Sequence, residues 1–210
     1  MITVLICDDH TLLREGLKQI LAGTPDIVVA DEAGDGKEIL KKAGERDYDV
    51  ILLDIALPGR NGIDICKQLK SMKPHLNILM LSMYPEEQFA FRSLRAGAAG
   101  YLTKKSVPTE LITAIRKVSK GGRHISTSLA EALASDLTNR ASKPAHEILS
   151  DREYEIMCMI ATGKTITEIA RELSLSINTI STHRARLLKK MNLRTNAELT
   201  YYAFHNRLVD

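Results

Sequence analysis

Val50-Ile51-Leu52-Leu53-Asp54-Ile55-Ala56-Leu57-Pro58-Gly59 is the stretch that decides the fold. Four consecutive aliphatic residues before a turn signal read as a strand buried on both faces of a parallel sheet. An acid that closes such a run needs compensation, because a buried, unpaired carboxylate is costly. The same pattern recurs along the first half of the chain. Asp8 and Asp9 close Val4-Leu5-Ile6-Cys7, Ser82 closes Ile78-Leu79-Met80-Leu81, and Lys104 follows Tyr101-Leu102-Thr103. In an open parallel sheet, ligands bind beyond the carboxyl ends of the strands. Three carboxylates, a hydroxyl and an ammonium are therefore expected at one rim.

Singly, each residue has a plainer reading: Asp8-Asp9 as a helix cap, Ser82 as a turn residue, Lys104 as a solvated charge. Their recurrence at four strand ends favours a magnesium-assisted phosphoryl site. Two carboxylates about 5 Å apart repel by roughly 3 kcal/mol at an effective dielectric near 20. Mg²⁺ relieves that repulsion, since it takes a few carboxylates and keeps several waters. Lys104 would neutralise one phosphoryl oxygen and Ser82 would hydrogen-bond another. Asp54 is then the group left to attack phosphorus.

The chain has 210 residues, is 44% hydrophobic and carries a net charge of +3, enough for one large or two modest domains. No stretch is long and apolar enough to span a bilayer, and the first residues enter a strand at once. The cytoplasm is the expected location, with no membrane partner. Cys7, Cys66 and Cys158 are far apart among apolar neighbours and read as reduced core thiols. Cys7-Asp8-Asp9-His10 is not expected to hold zinc, because a strand end does not aim four consecutive side chains at one ion.

Residues 1–120 alternate strand and helix five times, with strands near 3–7, 27–32, 50–54, 77–82 and 100–103. That alternation predicts an α/β domain, a five-stranded doubly wound parallel sheet of the flavodoxin-like kind. Residues 121–147 form a linker with a short helix, in which Leu129, Leu133 and Leu137 make a stripe. Residues 148–210 show no strand pattern and mark their helix starts clearly. Ser150 with Glu153, Thr165 with Glu168 and Thr195 with Glu198 have capping-box spacing, and Ser176 is a natural N-cap. Four helices are expected, the second and third forming a helix-turn-helix. No acid stands between Glu172 and Glu198, whereas Arg184, Arg186, Lys189, Lys190 and Arg194 crowd the third helix and its end. A basic, acid-free second helix of this motif is the footprint of DNA binding.

With these residues in hand, the whole chain resembles a two-component response regulator of the NarL/FixJ type, a receiver domain joined to a LuxR-type helix-turn-helix. Asp8-Asp9, Asp54 with Leu57-Pro58-Gly59, Ser82, Tyr101 and Lys104 carry the receiver resemblance. Leu149-Ser150-Asp151-Arg152-Glu153, Glu168-Ile169-Ala170 and Thr179-Ile180-Ser181-Thr182-His183 carry the LuxR-type one. The resemblance implies that Asp54 accepts a phosphoryl group from a sensor histidine kinase. It implies that Asp9, Asp54 and the Ala56 carbonyl ligate Mg²⁺, with Asp8 acting through water, and that Tyr101 is a switch residue. It also implies promoter DNA as partner and a homodimer on phosphorylation or DNA binding. Thr179, Ser181, Thr182, Arg184, Ala185, Arg186 and Lys189 are the expected DNA-binding residues, with Arg186 and Lys189 on phosphates. Lys105 departs from the proline common in receivers, and Ser181 and Ala185 stand where relatives are often basic.

Two other functions compete. A phosphohydrolase of the haloacid-dehalogenase kind also uses an aspartyl nucleophile, but there the motif is Asp-x-Asp, and here Asp8 and Asp9 are adjacent. A protein-binding adaptor would not need an acid-free third helix. The expected function is a phosphorylation-controlled DNA-binding transcriptional regulator, a phosphoacceptor with at most slow self-dephosphorylation rather than a turnover enzyme.

Overall fold

The apolar runs pair as the strands β1 (Ile2–Cys7), β2 (Ile27–Ala33), β3 (Val50–Asp54), β4 (Ile78–Ser82) and β5 (Gly100–Thr103) of one sheet, in which β3 and β4 are buried throughout and the edge strand β2 is mostly half-buried. A computed structural model describes residues 1–105, 108–127, 129–131 and 144–209. The chain divides into two compact units, Met1–Leu133 and Ala134–Asp210. In the first unit every strand pair is parallel, and the order is β2-β1-β3-β4-β5. The helices between strands are α1 (Thr11–Ala22), α2 (Gly36–Glu45), α3 (Gly62–Met72) and α4 (Glu86–Arg95), and α5 (Pro108–Val118) follows β5.

Alternation along the strands divides the core into two faces. Val4 and Ile6, Val50 and Leu52, Leu79 and Leu81, and Leu102 pack with Leu17 and Leu21 of α1 and Leu111, Ile115 and Val118 of α5. All are less than a tenth exposed, and none carries a polar atom that would need a partner. Each buried aliphatic side chain of this kind contributes roughly 1.5–3 kcal/mol. Pro108 opens α5, where its missing N–H costs nothing, and Gly121 beyond the helix has φ +79°, a conformation that favours glycine. Cys7, Cys66 and Cys158 are free thiols buried in the two units.

Among its described residues the second unit holds a short 3₁₀ turn, Ala145–Ile148, then α6 (Asp151–Ala161), α7 (Ile166–Glu172), α8 (Ile177–Met191) and α9 (Asn196–His205). Ser150 and Thr165 form complete capping boxes with Glu153 and Glu168. Thr195 does not. Its hydroxyl accepts from the Glu198 N–H, but the Glu198 carboxylate takes the Arg194 N–H instead, one residue further back. Ser176 caps α8 by accepting from Thr179 N–H. The turn between α7 and α8 runs through Ser174 at φ 52°, a left-handed position held without glycine. Ile169, Ile180, Leu187, Leu188, Met191 and Leu199 are buried in this unit. Of the linker stripe, Leu129 is buried, and Leu133 and Leu137 lie outside the described residues.

Candidate functional site

Strand register brings the acids together. Cys7 is level with Leu53, so Asp8 follows at the level of Asp54, one strand away. Ser82 is level with Thr103, and Lys104 comes next. Asp8, Asp54 and Lys104 continue the alternation of Ile6, Leu52 and Leu102, so all three project toward the α1 and α5 face. Lys104 reaches past β4 and places its Nζ 2.7 Å from both Asp8 Oδ2 and Asp54 Oδ2. Asp8 and Asp54 are 0% and 1% exposed, so this cation is shared by two fully buried acids.

One lysine does not balance two carboxylates. Burial pushes the Asp54 carboxyl up to about 6; Lys104 pulls it down and Asp8 pushes it up further. Burial alone would lower the Lys104 ammonium, but its two acid partners outweigh that and raise it. The second oxygen of Asp54, Oδ1, is buried with no hydrogen-bond partner among the described residues. Asp8, Asp9, His10 and Asp54 each present a ligand atom within 4.8 Å of the others. Surplus negative charge, an orphaned carboxylate oxygen and an oxygen-rich donor set fit a divalent cation.

The pair Asp8-Asp9 does not cap α1. His10 is the N-cap residue and its side chain makes no capping bond. Asp8 Oδ1 instead accepts from the His10 N–H at 2.9 Å, which tightens the turn after β1. Arg14 holds the same turn from α1: Nη1 donates to the Asp8 carbonyl at 2.7 Å and Nε to Glu32 at 3.0 Å. Ala56 is bridged to Asn61 across the loop after β3. Asn61 is buried and its Oδ1 accepts from Ile63 N–H, capping α3. Gly62 follows, pressed so closely on this loop that an added Cβ would lie 2.0 Å from the Asp54 carbonyl oxygen.

Ser82 and Tyr101 stand on the opposite alternation, toward α4. The Ser82 hydroxyl accepts from Tyr84 N–H at 3.0 Å, and the Tyr101 hydroxyl donates to the Tyr84 carbonyl at 2.8 Å. Tyr101 is 3% exposed, and burial pushes its hydroxyl well above the usual range, with Ser82 opposing. Tyr84 in turn packs on Phe89 of α4, centroids 4.7 Å apart. Ser82 and Tyr101 therefore grip the β4–α4 turn at the edge of the acidic cluster. Sequence pattern did not single out Arg14, Asn61 and Gly62. The signal available was Asn61-Gly62 directly before an apolar helix, an N-cap followed by a small residue.

A second surface lies on α8. Asn178, Ser181, Thr182, Ala185, Arg186 and Lys189 line one shallow depression. Their spacing of three and four residues makes a single face, opposite the buried Ile180, Leu187, Leu188 and Met191. Arg186 and Lys189 are exposed, and neither makes an ion pair among the described residues. Three of the expected residues are engaged within this unit, the Thr182 hydroxyl donating to the Asn178 carbonyl at 2.9 Å. The Thr179 hydroxyl is 2.8 Å from the Ser176 hydroxyl in the cap, and Arg184 Nε donates to Asn196 Oδ1 of α9 at 2.6 Å. Lys190 pairs with Glu153 at 2.6 Å, which anchors α8 to α6. Asn178, absent from the expected set, shares the face because it stands three and four residues before Ser181 and Thr182.

A buried aspartate paired with a lysine at the rim of a doubly wound sheet, joined in one chain to a helix-turn-helix, defines a response regulator. Residues 4–116 match the response regulator receiver domain, and residues 147–203 match the bacterial regulatory proteins of the luxR family. The chain belongs to the NarL/FixJ family of response regulators, in which a receiver domain precedes a LuxR-type DNA-binding domain. It is 35% identical to the response regulator UvrY of Escherichia coli (strain K12), over 99% of this chain and 96% of that one. It is 37% identical to the transcriptional regulatory protein LiaR of Bacillus subtilis (strain 168), over the full length of both. Among solved structures it is similar to RcsB from Salmonella enterica serovar Typhimurium bound to promoter rprA with phosphomimetic BeF3⁻. That likeness has 25% identity and a TM-score of 0.65, over 96% of this chain and 97% of that one. No helix among the described residues is long and apolar enough to cross a membrane.

Proposed function

We propose that Asp54 is the phosphoacceptor of this regulator and that its phosphorylation by a sensor histidine kinase controls promoter binding by residues 148–210. The observation that carries the reading is the buried Asp54, with Oδ2 held by Lys104 at 2.7 Å and Oδ1 left without a partner. An Asp54 oxygen attacks phosphorus of the kinase's phosphohistidine; the P–O bond forms as the P–N bond breaks, and the imidazole leaves. Asp8, Asp9 and Asp54, with the Ala56 carbonyl, are the residues that would hold Mg²⁺. When bound, Mg²⁺ supplies charge neutralisation for the transferring phosphoryl group. Lys104 neutralises a phosphoryl oxygen from the other side, and Ser82 hydrogen-bonds another once the β4–α4 turn moves inward. Tyr101, tied to Tyr84 in that turn, is the residue that reports this movement.

In this reading residues 1–120 form the receiver, 121–147 a linker and 148–210 the DNA-binding domain. The family match at 4–116 falls inside the first, and the match at 147–203 covers the last from one residue before its start. The free, basic face of α8 supports binding to duplex DNA, as does the promoter complex of RcsB. Ser181, Thr182 and Ala185 face base edges, Arg186 and Lys189 face phosphates, and Thr179 and Arg184 complete the surface. Tyr201 and Phe204, 73% and 66% exposed on α9, support pairing of two copies. Location in the cytoplasm and slow self-dephosphorylation follow from the same reading.

Acetyl phosphate with Mg²⁺ tests it. Intact-mass spectrometry should show one added phosphoryl group on the wild-type chain and none on Asp54→Asn, whose amide is not a nucleophile. Labelling that survives in Asp54→Asn would overturn the assignment.

A further inference from the structure

The four consecutive residues Cys7 to His10 at the end of β1 were not expected to converge, and one of them does not. Cys7 still belongs to the strand, and its thiol turns to the Asp35 carbonyl at 3.7 Å. Asp8 continues the alternation just past the strand, and Asp9 and His10 follow before α1. His10 Nδ1 lies 3.2 Å from Asp8 Oδ1 and 2.9 Å from Asp9 Oδ1. These separations match ligands on a common ion. With metal–ligand bonds of about 2.1 Å, neighbouring donors stand about 3.0 Å apart in an octahedron and about 3.4 Å apart in a tetrahedron.

The division of labour among the carboxylate oxygens is consistent with this. Lys104 takes Oδ2 of Asp8 and Oδ2 of Asp54. That leaves Oδ1 of Asp8 and Asp9 beside the imidazole; Oδ1 of Asp54 is buried without a hydrogen-bond partner among the described residues, and a carboxylate oxygen of Asp54 lies within 4.8 Å of the other donors. His10 itself is 68% exposed on its side chain. Its ring is held beside the two acids by these contacts, the one to Asp8 a hydrogen bond, so a ring nitrogen already stands among the oxygen donors.

We infer that His10 is a nitrogen ligand of the acidic site and gives it a preference for first-row transition-metal dications over Mg²⁺. Mg²⁺ favours oxygen donors and keeps its waters, so an imidazole adds little to its binding. Co²⁺, Ni²⁺ and Zn²⁺ gain from imidazole, and the gain rises along the Irving–Williams series. The site then has two grades of occupant: Mg²⁺ through the aspartates alone, and a softer dication through the aspartates and His10. Because both use Asp54, the softer ion competes with Mg²⁺ at the phosphoacceptor. This inference rests on the metal reading of the acidic cluster.

Calorimetric titration of the full-length protein with Mg²⁺, Mn²⁺, Co²⁺ and Ni²⁺ tests it, with the visible spectrum of bound Co²⁺ as a second readout. Replacing His10 by Ala should weaken Co²⁺ binding by at least about tenfold, the loss that even an outer-shell partner can cause. The loss should grow from Mn²⁺ to Co²⁺ to Ni²⁺, with Mg²⁺ affinity changed less than about twofold. The Co²⁺ bands should shift on loss of the nitrogen donor, and His10→Gln should behave like His10→Ala. Equal Co²⁺ affinity and an identical spectrum in wild type and His10→Ala would overturn the inference while leaving Mg²⁺ binding intact. Asp9→Asn separates the two levels, since it should weaken every ion. If it weakens none, the acidic site is not a metal site and the inference falls with it.

Discussion

Asp54 is held between two opposed demands. A phosphoacceptor must be a carboxylate, yet burial favours the neutral form of Asp54 and pushes it up to about 6, with Lys104 opposing and the charge of Asp8 adding to the rise. A carboxyl that binds its proton more tightly when folded adds stability at low pH, and that stability is lost as pH rises from about 4 through 6. Above that window the native state carries the full electrostatic cost, of the order of 3 kcal/mol. Asp54→Asn should therefore unfold at a higher temperature than wild type at pH 7 in metal-free buffer, by up to about 3 kcal/mol of stability. The gap should narrow at pH 4, and also on adding Mg²⁺ at pH 7. Urea unfolding at the two pH values checks the sign, and an Asn variant less stable at pH 7 would contradict the account. The charge imbalance behind this was legible as a pattern of strand-end acids. Its size was not, because exposure of Asp8 and reach of Lys104 are properties of the assembled rim.

At the scale of elements, the N-terminus of α3 acts as a clamp on the loop after Asp54. Asn61 caps the helix from a buried position, and Gly62 touches the Asp54 carbonyl oxygen so closely that no side chain fits. Gly62→Ala should push α3 from the loop and cost about 1–3 kcal/mol, the usual range for overpacking. Phosphoryl uptake should fall along with stability, and thermal melts beside a labelling time course would read both. On α8, Lys189 stands on the free face and is expected at a phosphate. Lys189→Ala should weaken all DNA sequences alike and lower the salt slope of binding by about one. Thr182→Ala or Asn178→Ala should instead alter sequence preference by roughly 1–3 kcal/mol per lost base contact. Arg184 is tied to Asn196, so its replacement should act more on the α8–α9 junction than on preference. Binding isotherms at several salt concentrations discriminate these outcomes. Capping residues had announced α6, α7 and α8 correctly. Thr195 misled in part, since the carboxylate of Glu198 had a nearer competing donor in Arg194.

For the whole molecule, the division into two compact units sets the expectation for control. The second unit has its own buried core around Ile169, Ile180, Leu187 and Leu199, so residues 148–210 should fold alone. That fragment should bind operator DNA whether or not a phosphodonor is present. The full chain should respond to the donor by a coupling of about 1–3 kcal/mol, typical of allosteric linkage. Equilibrium binding at equal concentrations measures both, and a fragment that binds less tightly than the unphosphorylated full chain would make receiver-driven pairing the whole of the switch.

Hydrophobic periodicity, turn residues and capping spacing are local signals, and they were sufficient to determine five strands, their helices and the following helix-turn-helix. They also placed polar residues at four strand ends. What they do not carry is adjacency between distant segments. Only the order β2-β1-β3-β4-β5 sets Asp8 beside Asp54 and lets Lys104, fifty residues further on, reach both. Only the alternation within each paired strand separates Ser82 and Tyr101 from that cluster. Pairing across a sheet is decided by burial of whole faces at once, so the contacts that make the site chemical arise from tertiary packing.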